Sequence, residues 1–289
     1  MKRYRQRILL LLVAGLAAAG AALDWPIAPV RVAGEFGTPL EGSPMPGLLF
    51  AGEELAARTA GKGDVSFHRE AIDPRTKLPS ALGAMMVNEG DDGLAEVYAL
   101  LPTVVGGAGP GAMQGAFVAK TGQAGISGFK GFWFALFDRK MDRWVNPRLF
   151  MPELQDKKAP GIRKVSLVEN DKSYSLGETR SLPQGSYALV VETTEVVGAD
   201  GESIQGPPYF IRILVNGESQ VELRAEVAST VDGRLSFYPD RKKGADMIDG
   251  RGALRLEPRM FTRGRTSIEI LIRDFSGNER SAGWTLIVE

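Results

Sequence analysis

Thr266-Ser-Ile-Glu-Ile-Leu-Ile-Arg273 is the stretch that decides the fold class. Ile268, Ile270 and Ile272 recur at every second residue, with Glu269, Leu271 and Arg273 between them. A period of two places the isoleucines on one face of an extended strand, whereas a helix needs apolar residues three and four apart. Asp274-Phe-Ser-Gly-Asn278 follows as a turn, and residues 283–288 as a returning strand. Upstream, runs at 164–169, 185–194, 209–215, 221–227, 233–238 and 253–257 are each closed by turn clusters. Short strands at this spacing predict a β-sandwich over residues 162–289.

Before it, Gln155-Asp-Lys-Lys-Ala-Pro160-Gly161 is polar and then breaks, so 155–161 is expected to be a linker. Residues 24–154 are Gly-rich, with short apolar runs at 64–68, 83–88, 95–100, 115–119 and 132–137, again strand-like. Only the Ala-rich run 53–60 suggests a brief helix. The expected fold class is all-β, in two domains.

The chain has 289 residues with 35 basic and 35 acidic side chains, one His and no Cys. Zero formal charge gives no footprint for nucleic acid. Lack of Cys excludes disulfides, thiolate metal sites and a cysteine nucleophile. A single His excludes any site that needs two imidazoles. At the N-terminus Lys2, Arg3, Arg5 and Arg7 precede an apolar run from Ile8 to Leu23. This pattern, with small residues at Ala19–Ala22, predicts a signal peptide over 1–23, cleaved near Ala21-Ala22. The run is shorter than the about 20 apolar residues a membrane span needs. The mature chain is therefore expected in the periplasm or otherwise exported.

Several phrases in order resemble the lysostaphin-type, LytM-like family of zinc peptidoglycan endopeptidases. They are Trp25-Pro26, Gly34-Glu-Phe-Gly37, Gly47 with Phe50-Ala-Gly52, and the hairpin from Ala84 through Gly93-Leu94 to Val97-Tyr98-Ala99. Gly122-Gln-Ala-Gly-Ile-Ser-Gly128 and Phe132–Asp138 with Val145-Asn146-Pro147 complete the set. The resemblance covers roughly residues 25–155 and implies a LytM-like β-sheet domain. Carried over residue by residue, the His and Asp of the family's first motif fall on Met45 and Leu49. The His of Tyr-x-His-Leu falls on Leu100, and the two of His-x-His fall on Gly131 and Trp133. A catalytic zinc needs about three nitrogen, oxygen or thiolate donors and an open water position. None of these five residues supplies one, and the only histidine, His68 in Ser66-Phe-His-Arg-Glu70, lies outside the motifs. The expectation is a pseudopeptidase with no metal, no cofactor and no catalytic residue.

Other chemistry is thinly supported. Ser127 lacks the Gly-x-Ser-x-Gly spacing of a nucleophile elbow and would need His68 as its base. Asp91-Asp92-Gly93 reads as a hairpin turn before it reads as part of a glycosidase carboxylate pair, and Asp138 with Asp142 is the other acidic pair. Gly106–Gly111 lacks the Lys-Ser/Thr ending of a phosphate loop, and Arg241-Lys-Lys243 reads as a solvated run. In the aromatic run, Phe132, Phe134 and Leu136 share one strand face, and Trp133, Ala135 and Phe137 the other. Such a strand is either central and buried on both faces, or presents Trp133 as the floor of a groove. In the second case Trp133, Ser127 and Tyr98 are candidate cleft-binding residues.

The C-terminal half resembles the immunoglobulin-like domains of exported bacterial proteins, through its strand pattern and the Asp274-x-x-Gly-Asn278 turn. Together the resemblances imply an exported non-catalytic peptidase homologue that regulates or scaffolds peptidoglycan hydrolysis. The alternatives are a peptidoglycan-binding module using the former cleft, and an active zinc endopeptidase. The expected partners are peptidoglycan or a cell-wall hydrolase, with no nucleic acid and no membrane contact beyond the signal segment.

Overall fold

In the structure, a computed structural model, the residues described are 23–104, 111–123, 129–197, 203–231, 234–237 and 248–289. Residues 1–22 of the expected signal segment, most of Gly106–Gly111, Ser127 and Arg241–Lys243 lie outside them. Thr266–Arg273 is extended as its period requires, within a strand Gly264–Arg273 whose Ile268, Ile270 and Ile272 are buried. It pairs in antiparallel register with Glu279–Val288 on one side and Phe210–Val215 on the other. Glu218–Arg224 and Ser181–Leu182 complete a five-stranded sheet.

A second sheet of six strands is built on Gly185–Val196, which pairs with Gly161–Glu169, Ser203–Gln205, Leu254–Arg255 and Arg259–Phe261. The two sheets share one core. Leu167, Tyr187, Leu189 and Val191 of the six-stranded sheet pack with Ile211, Ile213, Ile268, Ile270 and Leu286 of the other. Burial of these alternating faces drives the sandwich, at about 1.5–3 kcal/mol for each large side chain removed from water.

The N-terminal half is organised around Lys130–Asp138. This strand pairs with Leu94–Leu101 on one edge; on the other it pairs with Leu48–Ala51 at its start and Arg143–Val145 at its end. Ala84–Glu89 and Asp64–Arg69 continue the sheet outward. Phe132, Phe134 and Leu136 enter one cluster with Leu48, Phe50 and Tyr98, while Trp133 and Ala135 enter another. The strand is thus central and buried on both faces.

Residues 53–60 are not helical. Ala56–Arg58 is a short strand paired with Phe117–Lys120, and Ala57 and Ala60 are fully buried. Eight residues are too few to hold a helix by propensity alone, and the small Ala57 side chain lets the strand lie close against Ala119. Here packing overrides local preference. Among the described residues the single helical piece is a 3₁₀ turn at Pro147–Leu149, and no helix is long and apolar enough to cross a membrane.

The strands of the two halves are not separate. Arg143–Val145 pairs with Val227–Val231, so the large sheet runs on into the C-terminal half and ends at Arg234–Ser236. Asn146 reinforces the seam: its amide nitrogen donates to the Ala225 carbonyl at 2.8 Å, and its backbone N–H to Glu226 O at 2.8 Å.

Candidate functional site

The five carried-over positions converge. Trp133 stands opposite Leu49 on one neighbouring strand and Ala99 on the other. Leu100 reaches the same place through a bulge, because the register with Ala84–Glu89 shifts between Ala84 and Met86. Leu100 sits there at φ 60°, a left-handed conformation uncommon for a bulky side chain. Strict alternation would aim Leu100 to the Tyr98 side; the bulge instead turns it toward Ala99, into the cluster that holds Leu49, Val97, Trp133 and Ala135. Met45 packs against this cluster, half-buried. Gly131 lies two residues before Trp133 and pairs with Ala51, and a Cβ there would fall 1.9 Å from the Phe50 carbonyl oxygen. No side chain fits at 131 without moving the backbone of a buried strand.

The zinc that the resemblance implies does not fit these residues. Zinc is held by imidazole, thiolate or carboxylate. Met45, Leu49, Leu100, Gly131 and Trp133 offer one thioether and an indole N–H that can only donate. That indole has no hydrogen-bond partner among the described residues, and Gly47 lies so close that a Cβ would come 2.5 Å from Trp133 Nε1. The cluster is packed and apolar, with Trp133 stacked at a tilt on Trp144 at 5.9 Å.

Two cleft-binding expectations are corrected by burial. Trp133 is 4% exposed and Tyr98 0% exposed, so neither floors an open groove. Tyr98 faces away from the Trp133 cluster and does structural work. The Ala60 N–H donates to its hydroxyl at 2.8 Å, and that hydroxyl donates to Glu96 Oε2 at 2.6 Å. The Gly61 N–H donates to Glu96 Oε1 at 2.7 Å, so the pair anchors the 60–61 turn. Burial, then the Glu96 charge, push the Tyr98 phenol well above its ordinary value. Burial also raises Glu96, against the opposing pull of the Tyr98 hydroxyl and the Ala60 and Gly61 amides.

His68 is exposed on the strand Asp64–Arg69, at the sheet's edge and three strands from Lys130–Asp138 in the sheet order. Asp92 is a turn residue whose Oδ1 accepts from the Leu94 N–H at 2.9 Å, and Asp138 Oδ1 likewise accepts from Lys140 N–H at 3.0 Å.

Sequence reading missed a second constellation where the halves meet. Glu35, Asp156, Glu195 and Asp274 line a small cleft with Asn146, Arg148 and Phe275. Arg148, 4% exposed, pairs with Glu35 at 3.0 Å, and its guanidinium lies 5.7 Å from the Trp25 ring and 5.1 Å from that of Phe275. Burial, then Asp274 and Glu35, push Glu195 up to about 9. Glu35 is also raised, by burial first, although Arg148 pulls it down. A signal did exist: Glu195 falls in phase with the inward Val191 and Thr193, a charge on a core-facing side.

A family model matches residues 159–289. No curated protein matches the chain. Among solved structures, a chain of the SpoIIQ–SpoIIIAH pore-forming complex is 20% identical, with 46% of this chain and 92% of that one covered, at a TM-score of 0.39. A catalytic-domain variant of the prophage-encoded M23 protein EnpA from Enterococcus faecalis is 20% identical, covering 44% and 96%, at 0.36. Lysostaphin from Staphylococcus simulans is 12% identical, covering 87% and 86%, at 0.34. Likeness at this level assigns no activity to this chain.

Proposed function

We propose that this is an exported, non-catalytic peptidase homologue of the cell envelope that regulates or scaffolds peptidoglycan hydrolysis. One observation carries the reading: Met45, Leu49, Leu100 and Trp133 meet in one apolar cluster, with Gly131 beside them, where the family it resembles would gather its metal ligands. An apolar core in that place supplies neither a Lewis acid nor a base, so the domain's use is as a shape. On this reading residues 1–23 are a cleaved signal, 24–154 a degenerate LytM-like domain, and 162–289 an immunoglobulin-like sandwich reached through 155–161. The partner is a cell-wall hydrolase or peptidoglycan itself.

The test is dye release from labelled sacculi by a purified cell-wall amidase, with and without the full chain. The chain is expected to change the amidase rate while releasing nothing alone. An unchanged rate for every wall hydrolase tried, with no pelleting of the chain on sacculi, would defeat the proposal.

A further inference from the structure

We propose that the edge hairpin of the large sheet docks on an anionic phospholipid surface, with Ile72 and Leu78 at its tip entering the lipid interface. The hairpin joins Asp64–Arg69 to Ala84–Glu89, the last two strands at one end of the sheet order. Phe67, Ile72 and Leu78 are 47%, 58% and 65% exposed, so large apolar side chains are grouped in water within one hairpin. Such a grouping marks an interaction surface. Regulation of wall hydrolysis gives these residues no task, and the membrane contact does not depend on it.

The tip is built to leave water. The Asp73 N–H donates to the Leu78 carbonyl at 3.0 Å, the Lys77 N–H to the Asp73 carbonyl at 2.9 Å, and the Ser80 N–H to the Ala71 carbonyl at 2.7 Å. Asp73 Oδ1 accepts from the Arg75 and Thr76 N–H groups at 2.7 and 3.0 Å, and Thr76 Oγ1 from the Leu78 N–H at 3.4 Å. Pro74 and Pro79 have no N–H. Every backbone donor from Asp73 to Ser80 is therefore bonded within the tip or absent. A loop in water has no such need, because solvent serves its donors; a loop entering lipid does. Ile72 bridges Pro79 in antiparallel fashion, so Leu78, one residue earlier, falls on the opposite side of the ribbon. A protein partner would cover one side of such a ribbon, whereas lipid surrounds both.

Charge selects an anionic surface. Arg69, Arg75 and Lys77 are exposed and form no ion pair among the described residues. Of the acids beside them, Asp73 turns Oδ1 onto the backbone, and Glu70 accepts from the Thr103 hydroxyl at 3.4 Å. The long basic side chains can hold lipid phosphates at the surface while Ile72 and Leu78 sink past them.

The chain has no Cys, so a single dye can be placed by substitution. The test attaches an environment-sensitive dye to the full chain at Leu78→Cys, where it stands in for the leucine, and separately at the exposed Thr262→Cys of the C-terminal half. On vesicles of equal phosphatidylglycerol and phosphatidylcholine, the dye at 78 is expected to brighten and shift to the blue, and the dye at 262 to stay unchanged. The readout is local, so it stands whether or not residues 1–23 also meet the vesicle. Arg75→Gln with Lys77→Gln, both exposed positions, should fold as the parent does and raise the lipid needed for half the shift about 25-fold, at about five-fold for each cation. Added salt should act in the same direction. No shift at 78, an equal shift on pure phosphatidylcholine, or a shift given by sacculi and not by vesicles would overturn the proposal.

Discussion

Arg148 and Gly131 each show how much one residue can decide. Arg148 is buried between Trp25, Glu35 and Phe275, so removing it strands a buried carboxylate. Arg148→Met is expected to cost about 3–5 kcal/mol in urea unfolding, and adding Glu35→Gln should recover much of it. An additive double variant would show that the pair is not coupled. At Gly131 a Cβ meets the Phe50 carbonyl at 1.9 Å, so Gly131→Ala should destabilise the chain severely, beyond the usual about 1 kcal/mol of a point change. Trp133→Phe should be mild by comparison, because the indole N–H it deletes has no hydrogen-bond partner among the described residues.

At the scale of elements, Glu96 and Tyr98 on Leu94–Leu101 link the sheet to the 60–61 turn. Folding raises the Glu96 carboxyl above its ordinary 4.5. A raised acid favours the fold in its protonated form, so its contribution is complete below about pH 4.5 and is lost as pH climbs through the folded value. Glu96→Gln should flatten that part of the stability–pH curve; an unchanged slope in urea titrations at stepped pH would contradict the link. The same strands show what the sequence made legible. Period two at Ile268–Ile272 declared a strand with one face on the core, and the aromatic run at Phe132–Phe137 a strand apolar on both faces. The run 53–60 misled because alanines report small volume as readily as helix preference. The convergence of Met45, Leu49, Leu100 and Trp133 could be anticipated only through the resemblance, whose motif spacing fixed their positions. The Leu100 bulge that completes it leaves no mark on composition. The burial of Trp133 was beyond local reading too, since a groove floor and a core differ only in what lies above them. Glu195 needed the pairing of distant strands before its acidic neighbours Glu35 and Asp274 were visible.

For the molecule as a whole, the large sheet crosses from the N-terminal half to Val227–Val231 through the pairs Trp144 with Ala228 and Val145 with Val227. The Arg148–Glu35 pair and the Asn146 bonds lie along the same seam. Halves joined by a shared sheet should unfold together, so calorimetry is expected to give one transition for the full chain. Ala228→Pro, which places a ring in a buried ladder strand, should lower the midpoint and split the transition. Two transitions in the unaltered chain would show instead that the seam is weak.

The central claim is that the position of the expected metal centre is packed hydrophobic core. Its most direct measurement is incubation of the purified full chain with sacculi and added zinc, with soluble muropeptides separated by chromatography. No release above the protein-free control is expected. Zinc-dependent release that persists across independent preparations would mean that the chain cleaves the wall, and that a catalytic centre exists which Met45, Leu49, Leu100, Gly131 and Trp133 cannot supply.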